Sequence, residues 1–177
     1  MDAGDLAKLI LLAVAVLFSA FFSSTEAAFL SIQQGRLAHL VKSGVKGADE
    51  VARVAGRPER LLPTVLAGNN LVNTAAAALG TSLAASFLSP NAAVIAATAG
   101  VTVLLMVFGE IIPKTLGARN SERLAVLLVR PLQVAEWLLF PAVWVLQRLS
   151  RITSKVFGLP EQAMVTEEEI RSLIDVG

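Results

Sequence analysis

The 177-residue chain is too apolar for a soluble domain: hydrophobic residues make up 55% of it, charged residues 16%, and its mean hydropathy is +0.68. Soluble domains carry roughly 25% charged residues, so the composition indicates an integral membrane protein. Cysteine is absent, which excludes a disulfide framework and thiol chemistry. The net charge of +1 favours no particular partner, and no nucleic acid is expected.

The first apolar segment covers about residues 6–30. Its start carries Asp2 and Asp5 with Lys8 as the one cation, so it lacks the basic start of a cleaved signal peptide. The segment is therefore predicted to be a retained transmembrane helix. Its polar positions Ser19, Ser23 and Glu26 follow the spacing i, i+4 and i+7, which places them on one helical face.

The connection from 31 to 60 is polar and basic, and it predicts a juxtamembrane helix at about 33–58. Its cations outnumber its anions, Asp49, Glu50 and Glu59. The positive-inside rule places such a connection in the cytoplasm and the N-terminus outside. The cations are Arg36, Lys42, Lys46, Arg53, Arg57 and Arg60.

Two further spans are predicted, at about 61–88 and 92–112, because no charged residue occurs from 61 to 108. At ~1.5 Å per residue, this stretch is long enough for two crossings of a ~30 Å hydrocarbon core. The uncharged turn Ser89-Pro90-Asn91 separates them. The polar face predicted for the second span contains Asn70, Asn73, Thr74, Ala77 and Thr81, with Asn69 beside it.

The third span ends in an unusual string, Gly109-Glu110-Ile111-Ile112-Pro113. A carboxylate inside a membrane span is costly and is typical of an ion or substrate path. Pro113 has no N–H, so it cannot bond the Gly109 carbonyl four residues back, and we expect a helix break there. The predicted polar face of this span contains Thr98, Thr102, Met106, Gly109 and Pro113, with Glu110 next to it.

A fourth apolar stretch, 131–146, has basic residues on both sides. We interpret it as part of a juxtamembrane helix at about 122–157, broken at Pro141 and lying at the cytoplasmic interface. A fourth span is the alternative. The transmembrane domain then covers 1–160, and 161–177 forms a linker helix opened by a capping box at 166–169. We expect the natural protein to continue into a cytoplasmic domain.

The polar positions of the three spans lie at a similar depth in the cytoplasmic half and offer oxygen donors. Mg²⁺, Ca²⁺ and Na⁺ prefer such ligands. A zinc or copper site in the spans is not expected, because cysteine is absent and His39 lies in the basic loop. The spans also lack a nucleophile–base pair, so no enzyme activity is expected. The structural alternative is that serines and threonines bond the preceding turn and that Glu26 reaches the interface.

Three strings in order along the chain resemble the transmembrane domain of the cyclin M / CorC magnesium transporters. They are Phe21-Phe22-Ser23-Ser24-Thr25-Glu26-Ala27-Ala28, Gly68-Asn69-Asn70-Leu71-Val72-Asn73 and Gly109-Glu110-Ile111-Ile112-Pro113-Lys114. The similarity extends over nearly the whole chain, to the Thr166-Glu167-Glu168-Glu169 lead-in.

The resemblance implies an all-α homodimer of three-span subunits in the plasma or inner membrane, with juxtamembrane helices and a following cytoplasmic CBS-pair module. It implies Mg²⁺ efflux coupled to Na⁺ entry. The implied ion site uses Ser23 with Ser19 one turn away, Asn70, the Gly109 carbonyl and Glu110. Further polar lining is expected from Glu26, Asn69, Asn73 and Pro113.

ATP binding belongs to the CBS-pair module and cannot be attributed to these 177 residues. A membrane-anchored Mg²⁺ sensor that does not transport is the alternative function, since it needs the same site. The sequence leaves open the transport direction and stoichiometry, a separate Na⁺ site, the choice among divalent ions, the conformational state and the regulation by the following module.

Overall fold

The computed structural model describes residues 2–156, and within this range it describes the side chains of residues 2–148. The described part is helical, with no strand among these residues. It divides between Val143 and Trp144 into two compact units. The predicted linker helix at 161–177, with its capping box at 166–169, lies outside the described residues.

Eight helical elements follow one another along the described chain. They are α1 (Ala3–Ser31), α2 (Gln34–Lys42), α3 (Ala48–Ala55), α4 (Pro58–Ala84), α5 (Pro90–Leu104), a π-helical segment (Leu105–Ile111), α6 (Ile112–Arg119) and α7 (Ser121–Val156). The helices predicted at 6–30 and 61–88 correspond to α1 and α4. The helix predicted at 33–58 is two shorter helices, α2 and α3, which Gly44 and Gly47 separate with positive φ angles of 68° and 95°.

Helix α1 is the central element, because it packs against α4, the π-helical segment and α6. Its contacts with α4 run antiparallel: Asp5 meets Ser86 just beyond the end of α4, Ser19 meets Asn69, and Phe22 lies against Gly68. Glycine is required at 68, since a Cβ there would lie 2.3 Å from the Phe22 ring. Helix α4 therefore follows α1 along most of its length.

Two apolar cores hold the first unit together. The smaller one joins α1 to α4 and α5 through Ala15, Ala76 and Val101. The larger one gathers the C-terminal end of α1, helices α2 and α3, the start of α4 and the first part of α7. Its fully buried members include Ala28, Val51, Ala125, Val129 and Leu132.

The first part of α7 is held to α2 and α3 by charges as well as by apolar packing. The guanidinium of Arg36 lies 2.6 Å from the Glu122 carboxylate, and that of Arg130 lies 4.0 Å from the Glu50 carboxylate. The Val126 side chain comes within 3.2 Å of the position that a Cβ on Gly47 would take. This half of α7 therefore lies with the two short helices of the basic connection.

Two predicted helix breaks are wrong. The third apolar helix does not end at 112, because α5, the π-helical segment and α6 continue without interruption to Arg119. Helix α7 likewise passes through Pro131 and Pro141 without ending. A proline removes one hydrogen bond and bends a helix, but the neighbouring bonds can keep the helix continuous.

In the second unit, the Arg148 guanidinium lies 5.3 Å from the centre of the Trp144 ring.

Three helices among the described residues are long and apolar enough to cross a membrane: Ala3–Ser31, Pro90–Arg119 and Ser121–Arg148. The first and second correspond to two of the predicted spans. The third coincides with the predicted juxtamembrane helix and keeps the alternative of a further span open. Helix α4 is not among them, since its asparagines, threonines and glycines lower its hydropathy.

Candidate cation site

Polar groups from α1, α4 and the π-helical segment meet around the hydroxyl of Ser19. This hydroxyl is fully buried and lies 3.1 Å from Oδ1 of Asn69 and 3.4 Å from the carbonyl oxygen of Gly109. Three oxygens from three elements therefore lie within hydrogen-bonding distance at one point. Because the hydroxyl has a single hydrogen, it can donate a full hydrogen bond to only one of these two acceptors at a time.

The backbone at Gly109 makes this approach feasible. A Cβ on residue 109 would lie 2.7 Å from Oγ of Ser19, closer than real Cβ contacts come. Directly after the π-helical segment, the Ile112 N–H donates to the carbonyl of Val107, five residues back. Pro113 follows and offers no N–H to the Gly109 carbonyl. The Gly109 carbonyl lies within hydrogen-bonding distance of the Ser19 hydroxyl, at 3.4 Å.

Two further oxygens near this point are buried without a hydrogen-bond partner. They are Oγ of Ser23, one turn along α1 from Ser19, and Oδ1 of Asn73, one turn along α4 from Asn69. A buried oxygen with no partner costs roughly 1–3 kcal/mol. Such oxygens are positioned to accept a ligand that carries positive charge.

Glu110 contributes a carboxylate to the same region. Its Oε1 accepts a hydrogen bond of 3.1 Å from Nδ2 of Asn73, and its side chain is half-buried. The Asn73 amide thus holds the carboxylate with its nitrogen and keeps its own oxygen unbonded. Among the described residues, no group of three or more His, Cys, Asp and Glu side chains could hold a metal ion. Any ion here would rely on neutral oxygens and few carboxylates.

Glu26 is paired with a cation that the sequence reasoning did not include in the site. Its Oε2 lies 3.0 Å from Nζ of Lys114, and both side chains are partly exposed. Lys114 lies four residues after Glu110, so the two share a helical face. The i, i+4 spacing of Glu110 and Lys114 in the sequence could have indicated that Lys114 lies beside the site. The ion pair connects α1 to α6 beside the oxygen cluster.

Asn70 is the predicted site residue that the structure does not bring to the cluster. It is exposed, as are Thr74 and Ala77, which follow it on the same face of α4. The face toward α1 contains the buried residues Gly68, Ala76 and Gly80 together with Asn69 and Asn73. The stripe of small residues was the sequence signal for this face, and it predicts Asn69 rather than Asn70.

The predicted polar face of the third span is also only partly correct. Gly109 and Pro113 are buried, but Thr98, Thr102 and Met106 are exposed. A π-helical turn contains more residues than an α-helical turn and changes which positions face a neighbour. The buried stripe advances in steps of four instead, through Ala93, Ala97, Val101, Leu105, Gly109, Pro113 and Gly117.

A cavity of about 680 Å³ between α1, α4 and α7 is separate from these oxygens. Its lining is almost entirely apolar and includes Phe21, Leu71 and Leu138. An ion would find no ligands there. Phe22 and Gly68, which precede Ser23 and Asn69 in the sequence, form part of its wall. The oxygen cluster is therefore the candidate cation site of the described residues.

The fold and the cluster define a class: a helical membrane domain with an oxygen-lined polar site between its apolar helices. The family described as "Cyclin M transmembrane N-terminal domain" matches residues 9–177. The chain belongs to this family, as its three sequence strings predicted.

Curated relatives agree with this assignment. The chain is 36% identical over 163 residues to the UPF0053 inner membrane protein YfjD of Escherichia coli (strain K12), covering 88% of this chain and 37% of that protein. It is 32% identical over 178 residues to a UPF0053 protein of Haemophilus influenzae, covering 98% and 42%. A chloroplastic DUF21 domain-containing protein of Arabidopsis thaliana is 33% identical over 168 residues, covering 93% and 25%. The chain spans about two fifths or less of the length of these relatives.

Proposed function

We propose that this domain binds Mg²⁺ at the oxygen cluster and carries it across the membrane. The observation that supports this proposal best is the pair of buried oxygens without partners, Ser23 Oγ and Asn73 Oδ1. They adjoin the Ser19–Asn69–Gly109 contact and the Glu110 carboxylate. Mg²⁺ prefers oxygen ligands at about 2.0–2.1 Å, and the hydroxyl, amide, carbonyl and carboxylate groups on either side of the Ser19–Asn69 contact offer such oxygens.

The chemistry of the donors favours a hard cation. Hydroxyl, amide and carbonyl oxygens with a carboxylate suit Mg²⁺, whereas zinc and copper favour nitrogen and sulfur. Mg²⁺ loses its water reluctantly. The charge of Glu110 would offset part of that cost, and the neutral oxygens would replace the lost water. Na⁺ accepts the same oxygens, and we propose that its entry drives Mg²⁺ out of the cell.

The proposed topology has α1, α4 and the helix from α5 to α6 crossing the membrane, with the N-terminus outside. Helix α4 runs antiparallel along α1, which supports its crossing despite its lower hydropathy. The connection with Arg53 and Arg57 and the segment with Lys114 and Arg119 then lie in the cytoplasm. We propose that the protein lies in the plasma or inner membrane, because its E. coli relative YfjD is named an inner membrane protein.

We also propose a homodimer. Asn70 and Thr74 are exposed on α4, and their face is otherwise rich in alanine. An amide facing lipid is costly, and small residues favour close approach of membrane helices. A second copy packed on this face would cover Asn70 and bring it near the subunit boundary. In the longer natural protein we expect a cytoplasmic CBS-pair module to follow.

Flux in liposomes tests the transport proposal. The purified chain is reconstituted around a Mg²⁺-sensitive dye, and Mg²⁺ movement is followed with and without an opposing Na⁺ gradient. We expect flux that the Na⁺ gradient accelerates and that Ser23→Ala together with Asn73→Ala reduces at least tenfold. Thr98→Ala, an exposed position on α5, is the matched control and should retain flux.

The alternative is a membrane-anchored Mg²⁺ sensor. It is supported by the same oxygens, because binding does not require release on the other side. Mg²⁺ binding measured by calorimetry, combined with an absence of flux in liposomes, would favour the sensor over the transporter. Absence of binding by the correctly folded protein would contradict both functions.

A further inference from the structure

We propose that Lys114 is a positioning residue whose ammonium group competes with the metal ion for the carboxylates beside the site. This inference rests on the proposed function and adds a residue to it. The ammonium lies 3.0 Å from Glu26 and one helical turn from Glu110. When no ion is bound, Lys114 supplies the positive charge that these carboxylates would otherwise lack.

Position along the helices supports this role. Glu26 follows Ser23 by three residues on α1, and Glu110 follows Gly109 directly in the π-helical segment. Both carboxylates therefore adjoin residues of the oxygen cluster, and Lys114 on α6 is paired with Glu26 and lies four residues after Glu110. The other described groups of the cluster are neutral. The balance between Lys114 and these two carboxylates therefore sets much of the local charge.

Exposure indicates that the lysine can move. The Lys114 side chain is 45% exposed and that of Glu26 is 34% exposed, so the pair lies at an open end of the cluster. A lysine carries its charge on a flexible four-carbon stem. Entry of a divalent ion would repel the ammonium and free the Glu26 carboxylate to interact with the ion.

The lysine then has two effects on the ion. It weakens binding, because the ion must displace a charge that is already present. It also assists release, because the ammonium returns to the carboxylates when the ion leaves. A protein that transports must release its ion, and a tethered competitor prevents binding that is too tight for turnover.

The test compares Mg²⁺ affinity by calorimetry in the wild type, Lys114→Met, Lys114→Gln and Lys114→Arg. We expect the two neutral variants to bind Mg²⁺ about tenfold more tightly and the arginine variant to remain within about threefold of the wild type. Lys46→Met, an exposed lysine in the turn after α2, is the control and should leave the affinity unchanged.

Thermal unfolding of each variant in detergent separates this role from a structural one. A lysine that only fastens α6 to α1 predicts neutral variants with lower melting temperatures and weaker Mg²⁺ binding, and that result would overturn the proposal. Unchanged affinity in both neutral variants would overturn it as well. If the wild type itself binds no Mg²⁺, the proposed function fails first, and the two failures are thereby distinguished.

Discussion

The hydroxyl of Ser19 lies 3.4 Å from the carbonyl oxygen of Gly109, and only the missing side chain at 109 permits this approach. The contact joins the middle of α1 to the π-helical segment at the centre of the oxygen cluster. A polar site between apolar helices thus depends on a glycine as much as on its polar side chains. The first prediction concerns this glycine.

Gly109→Ala should separate the π-helical segment from α1 and weaken Mg²⁺ binding at least tenfold. The added Cβ would lie 2.7 Å from Oγ and 3.2 Å from Cβ of Ser19, so one of the two helices must shift. Calorimetry on the purified chain measures the change. Gly100→Ala is the matched control, since a Cβ there meets nothing within 4 Å.

A double variant distinguishes steric from chemical effects at this contact. Ser19→Ala removes the atom that clashes most, so Gly109→Ala with Ser19→Ala should have a higher melting temperature than Gly109→Ala alone. It should not recover Mg²⁺ binding, because the Ser19 oxygen is lost. Full binding by the double variant would contradict the placement of Ser19 in the site.

The second prediction compares three asparagines of α4. Asn69→Ala and Asn73→Ala should each reduce Mg²⁺ affinity about tenfold or more, because these amides contact Ser19 and Glu110. Asn70→Ala should change the affinity less than about threefold, because its side chain is exposed. Calorimetry on the three variants measures the affinities.

The opposite order would favour the ligand set that the family resemblance implies, with Asn70 in the site. Oligomeric state supplies the control for this comparison. If Asn70 lies at the subunit boundary, Asn70→Ala should weaken dimerisation in detergent, measured by light scattering, while Asn69→Ala leaves it unchanged.

The sequence predicted α1 well because the helix is uninterrupted. Its phase is kept over its whole length, so Ser19 and Ser23 are both buried on the face that the i, i+4 spacing predicts. On α4 the predicted polar face joined Asn70 to Asn73, with Asn69 beside it, and the structure brings Asn69 and Asn73 to the cluster but leaves Asn70 exposed. The glycines of α4, which lie where other helices approach, contained the better signal for the packed face.

The third apolar helix shows why spacing alone fails in places. A π-helical turn changes the phase at Leu105, and nothing in the spacing of Thr98 and Thr102 indicates it. Pro113 wrongly predicted a break, because the helix continues through it to Arg119. The loss of one backbone bond was absorbed by the π-helical segment preceding the proline. Tertiary contact with α1 decides between these outcomes, and a single helix does not contain that information.

The third prediction concerns the other end of α1. Ser86 donates a 2.8 Å hydrogen bond to the carboxylate of Asp5, which is buried and also lies 3.6 Å from Nζ of Lys8. Ser86→Ala removes a donor from a buried carboxylate, which costs roughly 1–3 kcal/mol. We expect a lower melting temperature in detergent, followed by tryptophan fluorescence.

Mg²⁺ affinity should remain that of the wild type in Ser86→Ala, because Ser19 at the centre of the oxygen cluster lies roughly 21 Å along α1 from Asp5 at ~1.5 Å per residue. Ser82→Ala, one turn earlier on α4 and exposed, is the control and should leave the melting temperature unchanged. An equal loss of stability in both variants would show that the contact with Asp5 contributes nothing specific.

The fourth prediction concerns the crossing of α1 and α4 at Gly68. A Cβ there would lie 2.3–2.7 Å from three atoms of the buried Phe22 ring. Overpacking of this kind costs typically ~1–3 kcal/mol. Gly68→Ala should therefore lower the melting temperature, although alanine is the better helix former by roughly 1 kcal/mol. Gly100→Ala gains the same helix propensity without a clash, so it should leave the melting temperature unchanged or raise it.

Phe22→Leu combined with Gly68→Ala tests the cause. The smaller side chain leaves room for the new methyl group, so the double variant should be more stable than Gly68→Ala alone. Phe22 and Gly68 directly precede Ser23 and Asn69, and a shift of the crossing would move both residues. Gly68→Ala should accordingly weaken Mg²⁺ binding, and the double variant should restore it in part. If Gly68→Ala lowers the melting temperature but leaves the Mg²⁺ affinity unchanged, contacts other than this crossing position the cluster.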